Sequence, residues 1–418
     1  MIRNSCRRKV IHCQLGSMFF AVAQNSRAVV VIHGPASCGQ MVYHGIYRKE
    51  GRVHALSEVR QLFVTSIADS HVVFGGEQRL RDCLRDVIST VRPEYVAVIN
   101  SCISGLIGDD VSACCRDVED DMQTPIILCD GNGFLYDQAR DPVLNTAMVL
   151  AEKFTYPFQR QDKDSQAAVL LGAHLTQGSG EITELARIFR GIGFHRVYFP
   201  PIHMGKQDFR EMASVSAAVA YWPVPSKQAY AESCTKDFAR RMGIPYFTGL
   251  LPEGIERTGS YILQMSKVLN REEEGFGFWR QETERYYQCV RKCMGILKGV
   301  TYTFGIGLPL RYYDPLPVIH LLQQVGMVLK DIVLYSDLTE GEAQIQRQYI
   351  WSHINVECMR EKDSMEWKGQ VLIENFVRRT EIPQFCIFYR RIGVGGAVYF
   401  LERLVGLVSM GYGVIYER

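Results

Sequence analysis

Short apolar, β-branched runs alternate with longer amphipathic stretches along most of this chain, and that alternation limits the fold more than any other feature. Residues 28–32 are one such run and read as a buried strand. The run stops at Gly34-Pro35, a turn signal, and Cys38 follows. Residues 95–99 repeat the plan. Asn100-Ser101 is the turn, Cys102 comes next, and a helical stretch runs on through Gly105 and Gly108-Asp109-Asp110. Two strands thus each lead into a cysteine at the strand's carboxyl end, the edge where open α/β sheets place ligands. A third cysteine, Cys13, lies upstream in His12-Cys13-Gln14-Leu15-Gly16.

The same reading carries to the end of the chain and predicts an α/β protein with mostly parallel sheets. A first domain, residues 1–160, opens irregularly with a short helix. It then has strands at 28–32, 61–64, 95–99 and 125–128, with helices near 38–45 and over 77–91, 103–119 and 142–153. A polar stretch over 154–165 reads as a linker. A second domain, 161–270, has strands at 167–172, 196–199, 217–221 and 246–247 and helices at 181–191, 229–242 and up to about 269. The third, 271–418, starts with a charged linking helix over 272–294. Strands at 300–304, 331–335 and 371–375, a helix at 315–325 and a returning helix at 394–409 follow.

Composition narrows the function classes. Lys+Arg is 47 and Asp+Glu 45 in 418 residues, so no global charge favours nucleic acid or a membrane surface. The basic start from Met1 to Lys9 precedes only short apolar runs and is not a signal peptide. The longest apolar candidate, residues 398–410, is broken by Glu402 and Arg403 and is not a membrane span. The expected location is the cytoplasm, where thirteen cysteines stay reduced and serve as metal ligands or as small buried hydrophobes.

Three motifs, in order, identify a resemblance: His33-Gly34-Pro35-x-x-Cys38, Val73-Phe74-Gly75-Gly76, and Cys102-x-x-Gly105-Leu106-Ile107-Gly108-Asp109-Asp110. Together they resemble the nitrogenase component 1 family, strongly over about the first 135 residues and colinearly to the end. The resemblance implies three Rossmann-like domains in the nitrogenase component 1 architecture. It also implies that Cys13, Cys38 and Cys102 hold one half of an interface iron–sulfur cluster, of the eight-iron P-cluster type or a 4Fe–4S cubane. Three thiolates cannot complete a four-ligand cubane, so a partner chain or another ligand supplies the rest. Gly34, Gly105 and Gly108 read as places where backbone comes close to the cluster. Phe74 falls where an ATP-dependent iron-protein reductase docks in that family.

The family's catalytic α-type subunits hold a large cofactor with a cysteine and a histidine. Their equivalents here fall near Ser226 and Pro383, and Cys234 lies about two helical turns late. The chain therefore looks β-type, with no catalytic residue of its own, paired with a homologous α-type subunit in an α2β2 heterotetramer. Shortness for a β subunit and departures around His33 and Cys102 turn the reading toward a nitrogenase-like enzyme. Methylthio-alkane reductase, which cleaves C–S bonds, is the first choice and nitrogenase proper the second. A non-catalytic scaffold for cofactor assembly and a tetrapyrrole reductase subunit are the alternatives.

Other candidates read as structural. Asp109 and Asp110 suit a helix start, where aspartate complements the dipole. Cys114-Cys115 suits core packing, and Cys289 and Cys293 share a helix face without a CxxC mate. Cys129 follows a strand and is weighed as approaching the cluster. Gly178-Ser179-Gly180 resembles a phosphate loop but lacks its lysine. His12 and His33 lie near two ligand cysteines, where a hydrogen bond to sulfide competes with a structural role.

Overall fold

The computed structural model describes residues 14–23, 27–49, 62–131, 140–159, 162–173, 179–222, 227–306, 314–334, 340–354, 359–361, 367–374, 381–387 and 392–416. They form two compact units. One comprises residues 1–163, 198–215 and 240–242, the other 164–197, 216–239 and 243–418. Every described pairing between strands is parallel.

The first unit starts with α1 (Gln14–Ala23), β1 (Ala28–His33) and α2 (Ala36–Lys49), followed by β2 (Leu62–Val64) and the short α3 (Asp69–Phe74). Next come α4 (Glu77–Val91), β3 (Tyr95–Asn100), α5 (Cys102–Ile107), α6 (Val111–Met122), β4 (Ile126–Asp130) and α7 (Pro142–Phe154). The strand order is β2-β1-β3-β4. β1 is buried along its whole length, as expected for a central parallel strand covered on both faces. α4 buries Leu80, Leu84, Val87 and Ile88, a helical stripe that packs on Val29, Val31, Val96 and Val98 of the sheet. The helix expected over 103–119 is two helices. Gly108 closes α5 with φ of 80°, the left-handed cap that glycine takes without strain. Asp110 then caps α6 by accepting the Ala113 amide at 2.9 Å.

In the remaining chain, β5 (Asp164–Leu171), α8 (Ser179–Gly191), β6 (Arg196–Tyr198), α9 (Lys206–Glu211), β7 (Val215–Ala220), α10 (Gln228–Met242) and β8 (Tyr246–Phe247) follow in order. Their sheet runs β6-β5-β7-β8, the same permutation as the first. α11 (Gly254–Val268) and the long α12 (Glu272–Leu297) lead into β9 (Thr301–Ile306), α13 (Leu316–Gln324), β10 (Val328–Leu334) and α14 (Glu340–His353). β11 (Met359–Glu361), β12 (Val371–Glu374), β13 (Gln384–Cys386), α15 (Gly393–Met410) and β14 (Val414–Tyr416) complete the chain. The third sheet runs β11-β10-β9-β12-β13-β14, the 3-2-1-4-5-6 order of the dinucleotide-binding fold.

By length and composition α15 is the one described helix able to cross a membrane. Its Phe400, Leu401, Leu404 and Leu407 are buried in the core shared with Tyr286, Val290 and Leu297 of α12. Arg187 of α8 binds Glu184 and Glu282 at once. Its Nε reaches Glu184 at 2.7 Å and its Nη1 reaches Glu282 at 2.8 Å. Burial opposes the guanidinium charge, but those two carboxylates outweigh it and raise its pKa. Glu184 also accepts the Gly395 amide at 2.8 Å, which anchors the first turn of α15.

Candidate metal centre

β1 and β3 lie side by side and end in register, His33 opposite Asn100. The strand order reverses between them, so their carboxyl ends border the crevice where such sheets bind ligands. Past His33 the chain turns at Gly34-Pro35 and enters α2, whose third residue is Cys38. Past Asn100, Ser101 is the N-cap and Cys102 the first residue of α5. The two cysteines therefore sit on neighbouring helix starts at one sheet edge. Both are half-buried.

Tight packing holds these two turns together. The Ser101 amide donates to the His33 carbonyl at 3.1 Å. Ser104 Oγ donates to the same carbonyl at 2.9 Å and also bonds Asn100. A Cβ on Gly34 would lie 2.5 Å from Ser101 Oγ and 3.8 Å from Cys38 Sγ. The missing side chain thus lets the β3 turn close against the β1 turn, beside the Cys38 sulfur. Gly105 sits within α5, its amide bonded to the Ser101 carbonyl at 3.1 Å. Gly108 is the cap of α5, with nothing within 4 Å of its Cβ position.

His33 has its full set of partners in the protein. Nδ1 meets Thr65 Oγ1 at 3.1 Å and Nε2 meets Asp109 Oδ2 at 2.9 Å. Neither ring nitrogen is left for a sulfide, so the structural reading of His33 holds. Burial pushes its pKa down, against the pull of Asp109. Asp110 is the helix start that its sequence suggests, but Asp109 is not. Its carboxylate is buried between His33 and the Gly76 amide, which donates to Oδ1 at 2.9 Å. Through Asp109 the turn after α3 is tied to the end of β1. Phe74, the last residue of α3, is 87% exposed. It does not plug its own sheet edge. Val73 and Leu106 are exposed as well, and α3 packs beside α5.

The other cysteines divide cleanly. Cys13 and His12 lie outside the described residues, as does Ser226. Cys129 does not reach the sheet edge as a ligand. It is fully buried on β4, and burial raises its thiol to about 12. Cys114 and Cys115 are core residues of α6, raised by burial to about 11 and about 12. Cys289 and Cys293 do share a face, with sulfurs 3.8 Å apart. Burial, then the neighbouring Cys293, lifts the Cys289 thiol to about 12. Cys234 is half-buried on α10. Ser179-Gly180 opens α8, but the next residue, Glu181, is buried and bonded to Tyr221. A carboxylate at that helix start opposes a phosphate.

Among the described residues no three His, Cys, Asp or Glu side chains gather into a metal site. Two soft donors at adjacent helix starts suit iron–sulfur ligation, but they leave the set incomplete. Sequence reasoning missed Thr65, Ser101 and Ser104, which position the two turns. The Ser101-x-x-Ser104 spacing of a capping box was the available signal.

A family model described as nitrogenase component 1 type oxidoreductase matches residues 13–367. The nitrogenase iron-molybdenum cofactor biosynthesis protein NifE of Bradyrhizobium diazoefficiens is 24% identical over 277 residues, 64% of this chain and 48% of that protein. The nitrogenase molybdenum-iron protein beta chain of Methanothermobacter thermautotrophicus is 29% identical over 114 residues, 27% of this chain and 24% of that protein. The matched stretch thus spans about half the length, or less, of these curated relatives. A solved structure of nitrogenase Cp1 at pH 6.5 superposes with a TM-score of 0.65 at 15% identity, over 95% of this chain and 91% of that one. That likeness is one of fold.

Proposed function

We propose, from the premise that the chain belongs to the nitrogenase component 1 type oxidoreductases, that it is the β-type subunit of a cytoplasmic nitrogenase-like reductase. The observation that carries this is the pairing of Cys38 and Cys102 on adjacent helix starts at the reversal of strand order, with Phe74 exposed on the same unit. Cys38, Cys102 and Cys13 would hold iron, and a homologous α-type chain would add the remaining ligands in an α2β2 complex. The bound cluster, P-cluster-type or 4Fe–4S, supplies one-electron transfer. This chain's own part is to bind and orient. Gly34 lets the two turns close, and the Asp109–His33 pair fixes the Phe74 turn to the same strand end. Phe74 would meet an ATP-dependent iron protein, the source of electrons bound for a catalytic cluster in the partner. Reductive cleavage of a methylthio-alkane is the substrate reading; dinitrogen reduction ranks second.

A scaffold for cofactor assembly is a second reading. It is favoured by the 64% of this chain that aligns with a cofactor biosynthesis protein. The deciding experiment is to purify the complex, identify the partner, and assay iron, sulfide and ATP-dependent reduction of methylthio-alkanes and dinitrogen. Cys38→Ala and Cys102→Ala should each lower iron and turnover, while Cys289→Ala should lower neither. Full iron in Cys38→Ala would remove the cluster assignment. Stable iron without turnover would favour the scaffold. Phe74→Ala should raise the half-saturating concentration of iron protein with iron content unchanged; an unaltered saturation curve would end the docking assignment.

A further inference from the structure

Away from the sheet edge, α12 carries a second pair of sulfurs. Cys289 and Cys293 lie one helical turn apart on one face, with their Sγ atoms 3.8 Å from each other. Cys293 is buried in the core that α12 shares with α15, and Cys289 is half-buried at its rim. One sulfur is therefore open to a reagent from solvent, and the other stands beside it, deeper in the protein. The charged side chains that act on the pair are Glu402 of α15 and Lys292, both exposed. Burial is the main reason that both sulfurs are held as thiols.

That environment selects what the pair can bind. A disulfide wants Cβ atoms about 3.5–4.5 Å apart, whereas Cβ atoms one helical turn apart are about 5–6 Å from each other. A direct S–S bond would therefore distort α12. A single atom bridging the sulfurs suits the gap, since bonds of about 2.3 Å, as in metal thiolates, span it with a bent angle at the bridge. A metal cation would need two thiolates at this sheltered rim beside Glu402, and among the described residues no third His, Cys, Asp or Glu completes a metal site. A group that replaces both S–H hydrogens and leaves no charge avoids that cost. We propose that Cys289 and Cys293 form a dithiol site for trivalent arsenic, taken up as arsenous acid or a monosubstituted arsenous acid. Cys289 reacts first. Its S–H bond and one As–O bond break, an As–S bond forms, and the proton leaves with the hydroxyl as water. Cys293, now beside the tethered arsenic, repeats the exchange, and a second water leaves. Arsenic stays trivalent, so nothing is oxidised or reduced. The site uses neither Cys38 nor Cys102 and stands or falls separately from the iron assignment.

The probe is phenylarsine oxide, applied to the purified complex that contains the full-length chain. Excess glutathione then strips arsenic held by single thiols. After denaturation, free cysteines are alkylated with ordinary iodoacetamide. Arsenic is released with 2,3-dimercaptopropanol, and the cysteines it covered are alkylated with isotopically heavy iodoacetamide. Cleavage after glutamate leaves residues 285–340 as one peptide whose only cysteines are Cys289 and Cys293. Wild type should carry heavy label at both. In Cys289→Ala, which changes only the rim, Cys293 should carry light label alone. In Cys293→Ala the same should hold for Cys289. Light label at both positions in wild type overturns the proposal. So does heavy label that persists at the remaining cysteine of either variant, because arsenic would then be held by one thiol or by a different pair.

Discussion

Asp109 satisfies two buried donors with one carboxylate, the Gly76 amide and the His33 ring. Asp109→Ala leaves both without a partner, at about 1–3 kcal/mol for each orphaned group. A clear drop in the urea midpoint is expected. Asp109→Asn should lose much less. Its amide oxygen still accepts from Gly76, and its NH2 donates to Nε2 if the ring shifts its proton to Nδ1, where Thr65 Oγ1 accepts. Equal losses in Ala and Asn would refute this account. His33 also gives a pH signature. Folding lowers its pKa from 6.5, through burial first and against the help of Asp109. The unfolded chain therefore binds the proton more readily, and stability falls as pH drops through 6.5 until the buried ring itself is protonated. Urea midpoints at pH 7.5 and 5.5 should differ more in wild type than in His33→Gln. None of this was visible along the chain. The partners of Asp109 lie 33 and 76 residues upstream, while Gly108-Asp109-Asp110 by itself reads as a helix start. Asp110 follows that local rule, and Asp109 is claimed by the tertiary fold.

Elements that bury one broad stripe were legible. α4 spans Glu77–Val91 and α12 begins at Glu272 as their amphipathic patterns imply. The short α3 was not, because six residues with none buried carry no period. The break between α5 and α6 showed only in Gly108-Asp109-Asp110, which reads as a helix start inside a pattern that otherwise runs on over 103–119. The β1 and β3 turns offer a test at this scale. Gly34→Ala places a Cβ 2.8 Å from the Ser101 Cβ, an overlap that side-chain rotation cannot relieve. It should push α2 and α5 apart, lower the thermal midpoint and reduce bound iron. Adding Ser101→Gly removes the colliding atoms. A glycine N-cap costs on the order of a few tenths of a kcal/mol, so the double variant should recover most of the loss. No recovery would mean that Gly34 acts through something other than contact with Ser101.

At the scale of the whole molecule, three parallel sheets each reverse strand order once. In the second unit a charged clamp joins α8, α12 and the start of α15. Arg187→Leu would leave Glu184 buried without a cation and Glu282 with only the more distant Arg285 at 4.0 Å, at roughly 3 kcal/mol or more. Combining it with Glu184→Gln and Glu282→Gln removes both charges and keeps an acceptor for the Gly395 amide. The triple variant should therefore unfold at higher urea than Arg187→Leu alone. A triple variant no more stable than the single one would show that lost packing, not lost charge pairing, dominates.

Local pattern alone determined the alternation of strands and helices and the strand-turn-cysteine repeat. Each of these depends on neighbours within a few residues. Strand order was decided elsewhere, because parallel neighbours are joined by crossovers and β1 sits between β2 and β3 only once the helices pack. The same holds for which cysteines face the sheet edge. Cys102 and Cys129 each come at or near the end of a strand, yet one opens a helix at the crevice while the other is sealed in the core. Burial separates them, and burial is a property of what the rest of the chain brings alongside.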